Sequence, residues 1–338
     1  KEIVDIQNFL KKNWRSSILD KNKEFFIWSY SRKRLKSNNI NFVVDIDEDS
    51  KNIKACLGII ENKNFSDENI ISNTVWLTNW KSKEGSNLSG IKLLKFVEAN
   101  LNYSLIGTIG CNELAKNIYK ILGYKVGTMN RYAAINFKKD SFKILDNKII
   151  KKLNFDFPES SNNKNISINN INNIDFLKLY EENIFCKDRI PFKDISFVKN
   201  RYLNHPIYKY EILLVESFDN PILIVLRKCY RKKSFAFRIV DILGNFNNFI
   251  KYSNEIIDFL FNKHPEYIDL YTNKVIQNNL NEFSKLIEIK KYPDLVIPSY
   301  FEPYVYSNPP MHWAYKVNCK EKKEPLLFKG DCDQDRPS

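Results

Sequence analysis

The stretch from Leu105 to Tyr124 reads LIGTIGCNELAKNIYKILGY and carries the densest structural signal in the chain. Leu105–Cys111 is a short apolar run, which is typical of a buried strand. The next set of largely apolar residues has the spacing of one helix face: Ala115, Ile118, Tyr119 and Leu122. Gly123 then stands where a left-handed helix cap favours glycine, and Tyr124 begins the next predicted strand. The sequence therefore predicts a strand, a short amphipathic helix and a second strand.

The segment upstream predicts a second strand and helix, joined by a loop of small residues. Thr74–Trp80 alternates apolar and polar residues like a half-buried strand, and 91–100 has a helical pattern. Between them, residues 81–90 read KSKEGSNLSG. A strand, a glycine-containing loop and a helix can hold a pyrophosphate, because free amides of the loop and of the helix N-terminus point at the anion.

The two segments together resemble the Gcn5-related N-acetyltransferase (GNAT) superfamily. The first segment resembles the family's last strand–helix–strand unit, in which the helix tyrosine is often the general acid that reprotonates the coenzyme A thiolate. The resemblance implies that Tyr119 is catalytic and that Asn112 contacts acetyl-CoA or another acyl-CoA. A strand, a short helix and a Leu-Gly-aromatic exit also occur in many other α/β proteins.

The loop resembles the coenzyme A loop of that family. Lys83, Gly85 and Gly90 resemble its basic residue and its glycines. The residues between them that are implied to bind the cofactor are Ser86, Asn87, Leu88 and Ser89. The match departs from the family pattern in three ways: the family spacing is shorter, Arg or Gln is commoner than Lys, and a middle glycine is replaced. A solvated loop is the alternative interpretation.

The resemblance implies direct acyl transfer in a gap between the strands around Trp76–Trp80 and Ile106–Cys111. A backbone amide near Leu77 or Thr78 would polarise the thioester carbonyl. Tyr119 would donate a proton to the leaving thiolate. The general base stays open between Glu61, Asp241 and an ordered water chain.

The composition favours an enzyme with phosphorylated ligands and a small-molecule substrate rather than a nucleic-acid reader. The formal net charge is +13, but the excess comes mainly from Lys, whereas readers of base sequence favour Arg. The six cysteines lack C-x-x-C spacing and the three histidines stand apart, so we expect no metal site. We expect no membrane span and a cytoplasmic location.

The second half repeats the order of the first: a strand pair, a long strand, a helix and a strand. We therefore expect an α/β (α+β) protein with two GNAT-like domains, each a mixed, mostly antiparallel sheet flanked by helices. The predicted domains are residues 1–150, which bind acyl-CoA and catalyse, and residues 151–338, which shape the acceptor site. The second half lacks a pyrophosphate loop after Leu243 and Gly244.

Two features of the second half are candidates for substrate contact. Arg238 and Asp241 are spaced by three, so their side chains would leave opposite faces of a regular strand. Residues 298–310 form a Pro- and Tyr-rich loop of the kind that can stack on a saccharide or nucleotide. The acidic residues near the end could hold a cation, stay solvated or dock as a strap.

Residues 328–338 resemble the tails of uncharacterised proteins from bacterial surface-polysaccharide gene clusters. That resemblance implies a nucleotide-activated amino sugar as acceptor, in surface-polysaccharide biosynthesis. Two other functions stay open. One is an aminoacyl-tRNA-dependent transferase of tandem GNAT fold, which the basic charge supports. The other is a non-catalytic binding subunit of the same fold.

Overall fold

The computed structural model describes residues 3–14, 17–31, 40–66, 73–153, 166–171, 174–185, 189–217, 220–276, 284–318 and 324–336. The Asn-, Ser- and Lys-rich segment 151–173, which its composition predicts to be a linker, lies mostly outside these residues, as do Cys186 and Cys319. None of the helices within the described ranges is long and apolar enough to cross a bilayer.

The first sheet has six strands in the order β1–β2–β3–β4–β15–β5. Their bounds are β1 Phe42–Ile46, β2 Ile53–Glu61, β3 Thr74–Ser82, β4 Leu105–Cys111, β5 Lys125–Thr128 and β15 His312–Val317. The neighbours β3 and β4 are parallel, and all other pairs in this sheet are antiparallel.

The second sheet has seven strands in the order β12–β6–β11–β10–β9–β8–β7, with β10 and β11 as its parallel pair. Their bounds are β6 Asn130–Ile135, β7 Ser167–Asn170, β8 Tyr210–Glu216, β9 Ile222–Arg231, β10 Ser234–Gly244, β11 Tyr267–Thr272 and β12 Ile287–Glu288. A separate hairpin joins β13 Tyr300–Phe301 to β14 Tyr304–Val305.

Ten α-helices connect and cover the sheets in the described ranges. They are α1 Ile3–Asn13, α2 Ile18–Lys21, α3 Lys23–Tyr30, α4 Asn87–Asn100, α5 Glu113–Ile121, α6 Asn147–Lys152, α7 Glu181–Ile184, α8 Ile195–Val198, α9 Phe246–Lys251 and α10 Ser253–Phe261. Short 3-10 helices occur at Asn62–Asn64, Ile174–Tyr180 and Ile289–Lys291. A π-helical turn occurs at Lys199–Leu203. The predicted α+β class, with two mixed, mostly antiparallel sheets flanked by helices, is confirmed.

The two sheets exchange strands. The pattern of residues 131–137 predicts a strand that closes the sheet of the first half, but β6 pairs with β11 in the second sheet. In return β15, from late in the chain, lies between β4 and β5 of the first sheet. The sequence pattern could not reveal this exchange, because either sheet buries such a strand equally well. The division at residue 150 stays a prediction.

Apolar side chains of both sheets meet in one core. This cluster joins Trp76 and Ile109 of the first sheet to Val225 and Leu243 of the second. On the other face of the first sheet, α4 and α5 cover a separate apolar cluster that contains Leu94 and Tyr119. The first sheet therefore has a helix-covered outer face and an inner face that looks towards the second sheet.

Several predicted boundaries shift. The loop predicted over 81–90 is shorter, because β3 continues to Ser82 and α4 begins at Asn87. The helical pattern of residues 174–183 predicts one helix, but the segment divides into a 3-10 stretch and α7. The predicted left-handed cap is confirmed, since Gly123 has a φ of 82°.

Candidate functional site

The strands β3 and β4 pair only at their starts. Thr74, Val75 and Trp76 are in register with residues 105–107. Beyond them β3 bulges against β2, because Thr78 pairs with Gly58 while Lys81 pairs with Cys56. Asn79 in the bulge has a φ of 47°. A bulge bends its strand, so β3 turns away from β4 and opens a gap at the position predicted from the sequence.

The gap holds a cavity of about 330 Å³. This volume lies at the lower end of the range for small-molecule sites, roughly 300–1,000 Å³. Residues from both strands, from α5, from the β13–β14 hairpin and from the C-terminal part of the chain line it. They are Trp14, Ser17, Leu77, Thr78, Asn79, Trp80, Thr108, Ile109, Gly110, Cys111, Asn112, Ala115, Tyr119, Tyr300, Pro303, Asp333, Gln334 and Arg336.

Tyr119 stands in the wall of this cavity, although its side chain is only 1% exposed. Its ring lies 5.2 Å from that of Trp80 and 4.9 Å from that of Tyr124. Burial raises the pKa of the Tyr119 phenol well above its ordinary value, so the side chain keeps its proton at neutral pH. A protonated phenol at the cavity is the state that a proton donor requires.

Asn112, Leu77 and Thr78, the other predicted contacts near the reacting centre, also line the cavity. Asn112 caps α5, since its Oδ1 accepts a hydrogen bond from the Ala115 amide at 2.8 Å. The hydroxyl of Thr78 lies 3.0 Å from that of Tyr30. The carbonyl oxygen of Leu77 faces the Cys332 thiol, which donates to it at 3.9 Å.

The predicted pyrophosphate loop lies at the start of α4 and is open to solvent. Lys83 and Gly85 are exposed, and a Cβ built on Gly85, which has a φ of 79°, would meet no atom within 4 Å. Leu88 in the first turn is 73% exposed. The amides of Ser86 and Ser89 already donate to Lys83 and Ser86 carbonyls. Because these two amides are occupied, an anion would have to bind to other amides in the first turn of α4.

The loop does not itself line the cavity but is joined to it by Trp80. The indole Nε1 donates to the Gly90 carbonyl at 2.9 Å, while the same ring packs on Tyr119. A ligand with a diphosphate at the loop and a slender arm in the gap would pass along Trp80. This arrangement fits acyl-CoA.

Cys111 is the thiol in the β4 wall of the cavity. Burial raises the pKa of this thiol to about 11, so it is protonated at neutral pH and is a poor nucleophile.

Arg238 and Asp241 do not line the cavity. They are 2% and 0% exposed, and both bind other protein groups. Arg238 pairs with Asp269 at 2.9 Å, and Asp241 pairs with Lys193 at 2.5 Å. Their role in substrate binding stays a prediction.

The expectation that Arg238 and Asp241 leave opposite strand faces is wrong. A bulge between Ile239 and Asp241 shifts the register, so Arg238 pairs with Arg227 and Asp241 with Val225. Residues directly paired across strands share a face, and residues two apart on β9 also share one. Arg238 and Asp241 therefore project together towards the shared core.

The predicted base candidate Glu61 is also outside the cavity. It is 1% exposed and accepts hydrogen bonds from the side-chain amides of Asn41 at 3.2 Å and Asn73 at 3.0 Å. It also pairs with Lys63. These partners occupy its carboxylate.

Three residues of the segment 328–336, which we call the strap, line the cavity, namely Asp333, Gln334 and Arg336. Asp331, Asp333 and Asp335 are 1%, 7% and 4% exposed, so the acidic run is buried as a strap rather than solvated. Each carboxylate faces a different cation, namely Lys193, Arg336 and Arg227 respectively. No metal-binding cluster exists among the residues that the structure describes. The sequence feature that points to this segment is its alternation of acidic residues, Asp331, Asp333 and Asp335.

The same strap closes the equivalent gap in the second sheet. Phe328 bridges to Thr272 at the end of β11, and the Gly330 amide donates to the Val240 carbonyl of β10 at 2.8 Å. After β10 the chain enters α9 directly at Phe246, without an intervening loop. Protein atoms therefore fill the position between β10 and β11.

Comparison with solved structures assigns the fold. A GCN5-related N-acetyltransferase from Anabaena variabilis is similar, with a TM-score of 0.51 and 11% identity over 92% of this chain and 69% of its own. A probable N-acyltransferase from Enterococcus faecalis, described as a conserved protein of unknown function, has a TM-score of 0.50 and 9% identity over 94% and 70%. The chain has the fold of these proteins. No protein-family model matches it, and no curated protein sequence is similar to it.

Proposed function

We propose that this protein is an N-acyltransferase that moves an acetyl or other acyl group from acyl-CoA to an amine. The observation that carries the proposal is the gap between β3 and β4, with Tyr119 in its wall and the start of α4 joined to it through Trp80. The fold likeness supports the same class of reaction.

The donor would bind along the outer face of the first sheet. When bound, acyl-CoA supplies an activated acyl group. Amides in the turn from Gly85 to Leu88 would hold its diphosphate, and Lys83 would add a positive charge. A backbone amide at Leu77 or Thr78 would stabilise the developing oxyanion, and Tyr119 would hold the proton for the leaving sulfur.

The second half would help to form the acceptor site. Its Tyr300 and Pro303 line the cavity, so the Pro- and Tyr-rich loop reaches the reaction centre. Aromatic rings of this kind can pack on a sugar or a base. We propose a nucleotide-activated amino sugar as the acceptor, which would place the enzyme in the synthesis of surface glycans.

Thiol release tests this proposal. Acetyl-CoA is mixed with the protein and with UDP-glucosamine, glucosamine or buffer alone, and free coenzyme A is measured. We expect release that depends on the amine and is fastest with the nucleotide sugar. Release that no amine stimulates would contradict transfer to nitrogen.

A further inference from the structure

A single carboxylate reaches the cavity among the described residues that line it, and it belongs to Asp333. Its side chain is 7% exposed. The two oxygens accept hydrogen bonds from neighbours in the same strap, one from Gln334 at 2.9 Å and the other from Arg336. Asp333 is thus buried and adjacent to the space where an acceptor would bind.

Strong contacts on either side of Asp333 fix its position. Before it, the Asp331 carboxylate lies 2.9 Å from the Lys193 ammonium, and the Cys332 carbonyl accepts from Arg201 at 2.7 Å. After it, Asp335 accepts from Arg227 at 2.7 Å and from the Tyr210 hydroxyl at 2.8 Å. These contacts hold the strap in a defined position beside the cavity.

Asp333 and Tyr119 approach the gap from opposite faces of the first sheet. Tyr119 belongs to the apolar cluster under α4 and α5 on the outer face. Cys332, next to Asp333, belongs to the cluster on the inner face. A thioester in the gap would have the phenol on one side and the carboxylate on the other, which is the arrangement that attack by an amine requires.

We infer that Asp333 receives the ammonium of the acceptor and takes its proton, an assignment that rests on the proposed acyl transfer. Arg336 holds the carboxylate in place and also donates to the Asn79 side chain at 3.3 Å. The earlier candidates Glu61 and Asp241 do not line the cavity, whereas Asp333 does.

The proton and bond changes balance as follows. Asp333 removes one proton from the ammonium, and the free amine forms a bond to the acyl carbon while the carbon–sulfur bond breaks. The leaving sulfur takes the Tyr119 proton. Water carries the second nitrogen proton back to the Tyr119 oxygen, and Asp333 releases its proton to solvent. The net products are an amide, free coenzyme A and one proton.

Asp333→Asn tests the assignment, with Glu324→Gln as the matched control. Glu324 is an exposed carboxylate that pairs with Lys274 and Lys125 outside the cavity. The probes are acetyl-CoA and a panel of amines: glucosamine, UDP-glucosamine and spermidine. At pH 7 we expect Asp333→Asn to lower kcat roughly 100-fold, the usual magnitude for a proton acceptor. Glu324→Gln should match the wild type.

The pH profile separates proton transfer from a structural role. The Asn variant depends on amine already deprotonated in solution, so its rate should rise about tenfold per pH unit below the amine pKa. The rate of the wild-type protein should rise less steeply with pH. A variant that is merely misfolded would show no such recovery. Asp333→Glu, which keeps the carboxylate, should exceed Asp333→Asn at pH 7.

The outcomes are distinct. Wild-type acylation of an amine with Asp333→Asn unchanged, or equally slow at every pH, would overturn the role of Asp333 and leave the proposed function intact. A wild type that acylates no amine of the panel would overturn both. Loss of acetyl-CoA binding in Asp333→Asn would also overturn the assignment, because the carboxylate would then be needed on the donor side.

Discussion

The indole nitrogen of Trp80 donates a hydrogen bond to the carbonyl of Gly90, and this contact joins the cavity to the start of α4. Gly90 is required because a larger residue would not fit beside Trp80 and Ser82. A Cβ at this position would lie 2.8 Å from the Trp80 Nε1 and 2.7 Å from the Ser82 Oγ. The Trp80 side chain therefore connects the cavity to the start of α4, which are the two predicted parts of the donor site.

Gly90→Ala should displace the Trp80 ring. Loss of one hydrogen bond costs about 1 kcal/mol, so we expect the affinity for acetyl-CoA to fall about fivefold. Trp80→Phe, which removes the donor and keeps an aromatic ring, should produce a similar loss. Calorimetric titration of both variants provides the measurement, and an unchanged Kd in Gly90→Ala would show that the linkage has no role in binding.

A negative charge in the exposed first turn of α4 should repel a diphosphate. Leu88 and Phe96 are 73% and 55% exposed on the same helix, so Glu can replace either without disturbing a core. We expect Leu88→Glu to weaken acetyl-CoA binding about tenfold at low salt, and Phe96→Glu to change it little, because such charge effects are short-ranged.

Acetyl-pantetheine, which lacks the diphosphate, tests whether Leu88→Glu acts on the diphosphate itself. The Leu88→Glu protein should bind it as the wild type does. Equal weakening of both ligands would mean that the turn is not the diphosphate site.

Tyr119→Phe should lower turnover and leave donor binding intact. The substitution removes the hydroxyl and keeps the ring contacts with Trp80 and Tyr124. General acid catalysis is worth roughly 100-fold or more, so we expect kcat to fall by about that factor. Steady-state kinetics alongside calorimetry give the two quantities. Full turnover in the variant would remove Tyr119 from the mechanism.

His205 should make the fold sensitive to acid. Its Nδ1 accepts two backbone hydrogen bonds, from Ile207 at 3.1 Å and Tyr208 at 2.9 Å. Burial and the nearby Arg201 lower its pKa from 6.5 to about 3. Between those values the unfolded chain binds a proton that the folded protein excludes. The free energy of unfolding therefore falls with decreasing pH, by up to about 1.4 kcal/mol per pH unit.

His205→Asn places an amide oxygen near the Nδ1 position without the titrating ring. Urea unfolding from pH 7 to 4.5 should show a shallower loss of stability in this variant than in the wild type. Parallel losses in the two proteins would mean that the acid sensitivity comes from other groups.

Local patterns predicted the elements of the first sheet well. The apolar pattern of residues 53–61 predicts a strand with the bounds of β2, and the predicted strand 105–111 has the bounds of β4. The left-handed Gly123 stands where the pattern placed it. These elements depend on short-range periodicity and on turn chemistry, which a sequence displays directly. The gap between β3 and β4 followed from the resemblance rather than from any residue pattern.

The residues that sequence reasoning missed are those set by long-range contacts. Asp333 reaches the cavity only because Lys193 and Arg227 hold the strap between the two sheets. The bulge that puts Arg238 and Asp241 on one face depends on pairing with β9. Neither arrangement has a local signature, since each requires a partner about a hundred residues away or on another strand.

Calorimetric titration of the wild-type protein with acetyl-CoA tests the central claim most directly. The first sheet offers an open gap and the second sheet's gap is filled by residues 328–330. We therefore predict saturable binding of one acetyl-CoA per chain. Absence of binding at millimolar ligand would contradict the account, and two equivalent sites per chain would contradict the closure of the second gap.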